Sequence, residues 1–153
     1  YNAPPGGFSF LIFLEVYMGQ LTDFLLKDYE QEQVEREVML PPFPYPFVIR
    51  SISQAENKEI EKSCEKKKFN PKTKQTDVET DRILYISRLL IACCVEPNFK
   101  SADLQDKFGV KGAEALVEKL LTPGQYGNLL NAVQELNNFD DDINDLVDEA
   151  KNS

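Results

Sequence analysis

The chain has 153 residues, of which 42% are hydrophobic and 28% are charged, and its formal net charge is −9. This length is enough for one domain with its own hydrophobic core, and ten phenylalanines and six tyrosines argue against general disorder. The acidic balance argues against nonspecific nucleic-acid binding, because such binding requires a field of lysine and arginine along the phosphates.

The composition also bears on catalysis. There is no histidine, which removes the commonest general base and the commonest metal ligand. Three cysteines, at Cys64, Cys93 and Cys94, form neither a disulfide framework nor a zinc pattern and fit a reducing cytoplasm. We expect at least one of the vicinal pair to be a buried apolar residue. The sequence therefore predicts a non-enzymatic protein without cofactor or metal, although an enzyme that uses only carboxylates or lysine stays open.

Residues 1–17 differ in character from the rest. The apolar run from Phe8 to Leu14 is too short to span a bilayer, and it lacks the basic flank and the cleavage site of a signal peptide. Met18 opens a stretch typical of a protein start. We expect 1–17 to be a non-native or upstream-encoded extension and 18–153 to be a single domain; the alternative is a genuine apolar arm in strand conformation.

Before residue 76, the pattern predicts a short helix, a hairpin and a second helix. The expected elements are a helix at Leu21–Lys27 capped by Thr22 or Asp23, antiparallel strands at Glu35–Leu40 and Phe47–Ile52 joined by the proline-rich turn 41–46, and a helix from the Ser53/Glu56 capping box to about Lys66. Residues 67–75 are expected to form a turn and a solvated loop around Asn70-Pro71.

After residue 76, all predicted elements are helices. They comprise an apolar central helix at Asp77–Val95 that Pro97 ends, Ala102–Phe108 capped by Ser101 and closed by Gly109, Gly112–Leu121, Gln125–Asn137, and a last helix that begins at Asp140 or Asp141. The predicted fold class is α+β and predominantly helical, with a small N-terminal antiparallel β-hairpin packed on a multi-helix bundle.

Three local patterns resemble ligand-binding motifs but do not satisfy their requirements. The acidic run from Asp140 fails as a calcium loop, because its sixth and twelfth positions hold Asp145 and Lys151 instead of glycine and glutamate. The lysine-rich stretch 62–74 contains Phe69 and suits single-stranded nucleic acid less well than a solvated loop, since it has no arginine and no second aromatic residue. Residues 101–121 imitate a helix-turn-helix motif, but acids on the second helix suit a phosphate-lined groove badly.

A fourth pattern concerns proteins. The segment with Phe43, Tyr45 and Phe47 between prolines is either a partner-binding surface or the edge of the core.

The C-terminal part carries packing and punctuation motifs that point to a family. They are Leu90-Ile-Ala92 followed by Glu96-Pro-Asn-Phe99, the step Leu120-Leu-Thr-Pro-Gly124, and Val133 and Leu136 leading into Phe139. From about Leu21 to Lys151 the chain resembles the tail assembly chaperones of phages and prophages of Gram-positive bacteria, the XkdN-like group.

The resemblance implies a chaperone in the cytoplasm of the bacterial host that binds the tail tape measure protein before the tail tube assembles and is missing from the mature virion. It also implies that a frameshifted, longer form of the chain is a candidate partner, and it leaves homo-oligomerisation open; no nucleic-acid or membrane partner is expected. An apolar groove between helices would cover the partner's hydrophobic face. The predicted partner-binding residues are Phe43, Tyr45, Phe99, Leu120, Leu121, Tyr126 and Leu130. The alternative is a structural adaptor that stays in the particle.

Overall fold

In a computed structural model of the chain, residues 19–138 are described, and they divide into two units, 19–32 and 33–138. The first unit contains helix α1, Gln20–Lys27. Its apolar side chains Leu21, Phe24 and Leu25 share one face, and all three are exposed. The helix was predicted, but its cap was not: Gly19 holds the N-cap position and makes no side-chain cap hydrogen bond.

The second unit interleaves strands and helices. Its elements in chain order are β1 (Glu35–Val38), β2 (Phe47–Arg50), α2 (Gln54–Ser63), β3 (Glu65–Asn70), β4 (Gln75–Thr80), α3 (Arg82–Cys93), β5 (Cys94–Glu96), α4 (Ala102–Lys107), α5 (Ala113–Leu120) and α6 (Pro123–Asn137). The last helix that we predicted, from Asp140 or Asp141, and the extension 1–17 lie outside the described residues.

Two separate sheets are present in the described chain. In the first, the strand order is β1-β2-β5 and both pairings are antiparallel; Glu35 pairs with Arg50 at one end and Val38 with Phe47 at the other. The pairing of β1 with β2 across the proline-rich turn was predicted, and the structure confirms it. The second sheet is the β3–β4 hairpin, in which Glu65 pairs with Thr80 and Asn70 with Gln75.

Helix α3 is the centre of the core, as its apolar sequence indicated. Tyr85, Ile86, Leu89, Leu90, Ile91 and Cys93 are all buried on it, and it packs against α2, α5 and α6. Ile83 is an exception, because it lies in the first turn and is 73% exposed. Helix α6 also packs on β1 and β2, where Arg36 forms an ion pair with Glu135 at 3.0 Å.

Short-range capping fixes where most helices begin. The side chains of Ser53, Asp81, Ser101 and Thr122 each accept a hydrogen bond from the backbone N–H three residues on. At Thr122 the Gln125 side chain also accepts from the backbone N–H of the cap, which completes a capping box. Gly109 follows α4 with φ of +66°, the left-handed conformation in which glycine avoids a steric clash.

The predicted fold class is wrong in its proportions and order. The described chain is a mixed α+β protein with six helices and five strands in two small sheets, and helix α1 precedes the first strand. No N-terminal hairpin sits on a helical bundle: β5, far along the chain, adds a third strand to the first sheet, and the hairpin β3–β4 forms the second.

Two predicted helices were too long. The helix from Ser53 ends at Ser63 rather than near Lys66, and the following residues form β3. The predicted helix 77–95 loses its start to β4 and its end to β5. Both errors have one cause. The residues at these helix ends instead form strands that pair with other segments of the chain, and such pairing cannot be read from a local sequence pattern.

Candidate partner-binding site

The second unit contains an open cleft of about 850 Å³. Its walls are the first sheet, helix α2, helix α3, the loop after β5 and the start of helix α5. Phe47 and Ile49 are buried on one face of β2, so Arg50, the residue after Ile49, faces the opposite side, toward the cleft. The cleft is therefore built from the sheet face that the core does not use.

One wall is held by an ion pair between the sheet and α2. The Arg50 guanidinium donates to both carboxylate oxygens of Glu56, at 2.9 and 3.4 Å. Glu56 sits in the first turn of α2, where its backbone N–H also donates to Ser53 Oγ at 3.2 Å. Two-point contact of this kind restricts both side chains, so the Arg50–Glu56 pair sets the distance between the strand and the helix at this edge of the cleft.

The opposite wall is held by Arg88 of α3. Its Nε donates to Glu114 at 3.1 Å, and its terminal nitrogen donates to the Ser63 carbonyl at 2.7 Å, at the end of α2. The pKa of Glu114 lies below its ordinary value because the carboxylate accepts a hydrogen bond from its own backbone N–H and a second from Arg88, which together outweigh burial. Arg88 thus ties three helices together at the rim.

Most residues that line the cleft are polar or charged, and its apolar floor is a small patch. Ile91 and Ala92 of α3, Ile60 of α2 and Val95 of β5 line it, and Val95 is 41% exposed. Glu35, Glu59 and Lys100 add charge at the margin. An apolar floor with a charged rim is suited to receive apolar side chains from one face of a partner segment, whose polar residues would meet the rim.

Two observations concern metal binding and thiol reactivity among the described residues. No group of three or more His, Cys, Asp or Glu side chains within 19–138 is placed to hold a metal ion. Burial raises the pKa of the Cys93 and Cys94 thiols to about 12, so both stay protonated near neutral pH and are poor nucleophiles. All three cysteines are free and buried, which confirms the prediction that at least one of the vicinal pair is a buried apolar residue.

The seven residues predicted to bind a partner do not lie in this cleft. Phe99 and Leu130 are in the core, with 0% and 2% exposure, and Leu121 is nearly as buried. Leu120 and Tyr126 are half-buried. Phe43 is half-buried in an edge-to-face contact with Phe47, with ring centroids 5.3 Å apart, whereas Tyr45 is 79% exposed. Tyr45 is therefore the member of the set most open to a partner, and the role of the seven stays a prediction.

The sequence did not predict that the cleft residues form a site, because they are far apart in the chain. Arg50 and Arg88 left one clue, since each is a cation next to an apolar run, at the end of FVIR and at the start of RLLIAC. Such a cation needs a partner or water, but its partner carboxylate cannot be read from spacing.

Within residues 19–138, none of the helices is both long and apolar enough to cross a bilayer. With the fold and the cleft in view, comparison with known proteins gives the class of protein. The family model for the phage XkdN-like tail assembly chaperone proteins matches residues 21–151. The chain therefore belongs to this family, as its resemblance indicated.

Two relatives in Bacillus subtilis (strain 168) are similar over most of their length. The chain is 32% identical to the protein YqbN over 108 residues, which cover 70% of this chain and 72% of YqbN. It is 30% identical to the protein XkdN of the phage-like element PBSX over 109 residues, with the same coverage of both chains. A crystal structure of YqbN superposes with a TM-score of 0.59 at 23% identity, covering 76% of this chain and 95% of that one. At that identity the match supports the shared fold alone.

Proposed function

We propose that this chain is a non-enzymatic chaperone of phage or prophage tail morphogenesis that binds the tail tape measure protein in the host cytoplasm before the tail tube assembles, and that it leaves before the virion is complete. Membership of the tail assembly chaperone family supports the first part of this proposal. The observation that carries the binding part is the open cleft, with its apolar floor between two ion-paired walls.

The physical reason for such a chaperone is exposure of apolar surface. A long partner with a continuous apolar face aggregates unless that face is covered until assembly. The cleft can cover a short apolar stretch, with side chains of the partner placed on Ile60, Ile91 and Val95. Arg50 and Arg88 are held by carboxylates of the same chain, so the walls are organised before the partner arrives and less conformational entropy is lost on binding.

The test is co-expression of the full chain with the tape measure protein of the same phage or prophage. We expect the chain to raise the soluble fraction of the partner and to co-elute with it. Val95→Lys places a charge on the apolar floor and should weaken the complex about tenfold or more. Ile83→Lys is the matched control, because Ile83 is also β-branched and exposed (73%) but lies outside the cleft.

Two results would count against the proposal. If the tape measure protein stays insoluble and no complex elutes, the partner is wrong. If Tyr45→Lys abolishes the complex while Val95→Lys does not, the partner binds at the proline-rich segment and the cleft is not its site. Mass spectrometry of purified virions addresses the timing, since a structural adaptor would be found in mature particles and a chaperone would not.

A further inference from the structure

The β3–β4 hairpin is an exposed ribbon with open edges. Every strand residue except Asn70 is exposed, including Phe69 at 63% and Val78 at 58%. The second sheet has two strands in the described chain, so β3 and β4 each present one unpaired row of backbone N–H and C=O groups. A two-stranded hairpin is marginally stable in water, and a further strand at either edge would stabilise it.

The two edges carry opposite charge. β3 (Glu65–Asn70) contains three lysines and one glutamate, whereas β4 (Gln75–Thr80) contains two acids and no cation. The register places Lys66 opposite Glu79 and Lys68 opposite Asp77 on one face of the ribbon, with Phe69 and Val78 on the other face. Among the described residues, Lys66 forms an ion pair with Asp81 at 2.5 Å, but Lys67, Lys68, Asp77 and Glu79 form none.

We propose that the hairpin is a self-association site, in which β3 of one copy pairs antiparallel with β4 of a second copy. In the register of the hairpin itself, Lys68 and Lys66 of one copy would meet Asp77 and Glu79 of the other, so each cation would lie between two carboxylates. Phe69 of one copy would also extend the apolar face beside Thr76 and Val78 of its neighbour. This inference does not rest on the identity of the tape measure partner.

Charge selects this arrangement over the others. Pairing β3 with β3 would bring lysines together, and pairing β4 with β4 would bring carboxylates together, and like charges across strands destabilise a ladder. Lysines on an edge strand commonly prevent pairing, but here the opposite edge carries carboxylates at the matching spacing. Strand twist of about 20–25° per strand would turn the second copy by about 45° and carry its core away from the first.

The charge of the whole chain also favours a second copy over nucleic acid as the partner of the hairpin. Residues 67–76 hold four lysines and no acid, while the whole chain has a net charge of −9. This lysine-rich segment, 67–76, is the tip of the hairpin, and it is attracted electrostatically to other copies of the acidic chain. For single-stranded nucleic acid the tip lacks arginine and has one aromatic residue, Phe69, where stacking sites use several.

The experiment is sedimentation equilibrium of the full chain over a range of concentrations and salt. We expect a mass that rises from the monomer's 17.5 kDa with concentration, less so at high salt. K66E/K68E makes both edges acidic, and D77K/E79K makes both edges basic, so each variant alone should bind itself about tenfold or more weakly. Mixed one to one, the two variants should associate with each other.

Two further variants make the result specific. The quadruple variant K66E/K68E/D77K/E79K restores complementary edges with reversed sign and should self-associate again. K107E/K111E removes two exposed lysines outside the hairpin and should associate like the parent. Circular dichroism melts check that each variant has kept its folded core.

The proposal is overturned if the parent remains a monomer at all concentrations, if either of the two hairpin double variants associates like the parent, or if the mixture and the quadruple variant both fail to associate. A parent that stays monomeric but binds a labelled single-stranded oligonucleotide, with binding lost in K66E/K68E, would assign the hairpin to nucleic acid instead.

Discussion

The buried hydrogen bond between Tyr85 and Asn57 should be a measurable link between α3 and α2. The Tyr85 hydroxyl donates to Asn57 Oδ1 at 2.5 Å, and the two residues are only 6% and 7% exposed. Tyr85→Phe keeps the ring but leaves the Asn57 amide oxygen buried without this donor. Removing one partner of a buried neutral hydrogen bond costs about 1–3 kcal/mol.

Chemical denaturation of the parent, Tyr85→Phe, Asn57→Leu and the double variant would measure this link. Tyr85→Phe should lower the free energy of unfolding by about 1–2 kcal/mol, equivalent to about 2–8 °C in Tm for a chain of this size. In Asn57→Leu the tyrosine hydroxyl loses its acceptor, and a comparable loss is expected. In the double variant both polar groups are gone, so its loss should be smaller than the sum of the single losses.

The coupling energy from this double-mutant cycle should be about 1 kcal/mol. If the two single losses add within about 0.3 kcal/mol, the hydrogen bond contributes no specific stability and the argument from burial is wrong. Tyr126→Phe is a suitable control, because Tyr126 is half-buried on α6 and hydrogen-bonded to Ser87 rather than to Asn57.

Three further results are expected. Burial raises the pKa of Tyr85 from 10.0 to about 12, so folding favours the neutral phenol. The contribution of this group to the free energy of unfolding is complete below pH 10 and should be lost as the pH rises toward 12. Alkaline denaturation should therefore show a shallower loss of stability in Tyr85→Phe than in the parent. Because the Cys93 and Cys94 thiols are buried and protonated, a thiol reagent at pH 8 should label them in the unfolded protein and not in the native one; rapid native labelling would contradict their placement. Thr122→Ala removes the α6 cap and should cost about 1 kcal/mol in a urea melt, whereas Thr122→Ser should keep most of the stability.

Parts of the fold were within reach of the sequence because they depend on neighbours in the chain. The caps at Ser53 and Ser101 need only a backbone N–H three residues away. The central helix was predicted from its apolar residues, and the two strands joined by the proline-rich turn are close enough in sequence for their pairing to be predicted. The hairpin of β3 and β4 was missed because both strands are polar and exposed, so neither shows the alternation that marks a half-buried strand.

The sequence by itself determined the family and most helix starts, because packing motifs and caps are written in contiguous residues. Only the tertiary structure decided that Cys94–Glu96 leaves α3 to pair with β2, since the partner strand lies more than forty residues away. It alone also formed the cleft, where Arg50 meets Glu56 across a strand and a helix and Arg88 meets Glu114. The free energy of such contacts depends on distance in space and burial, neither of which is a property of a local pattern.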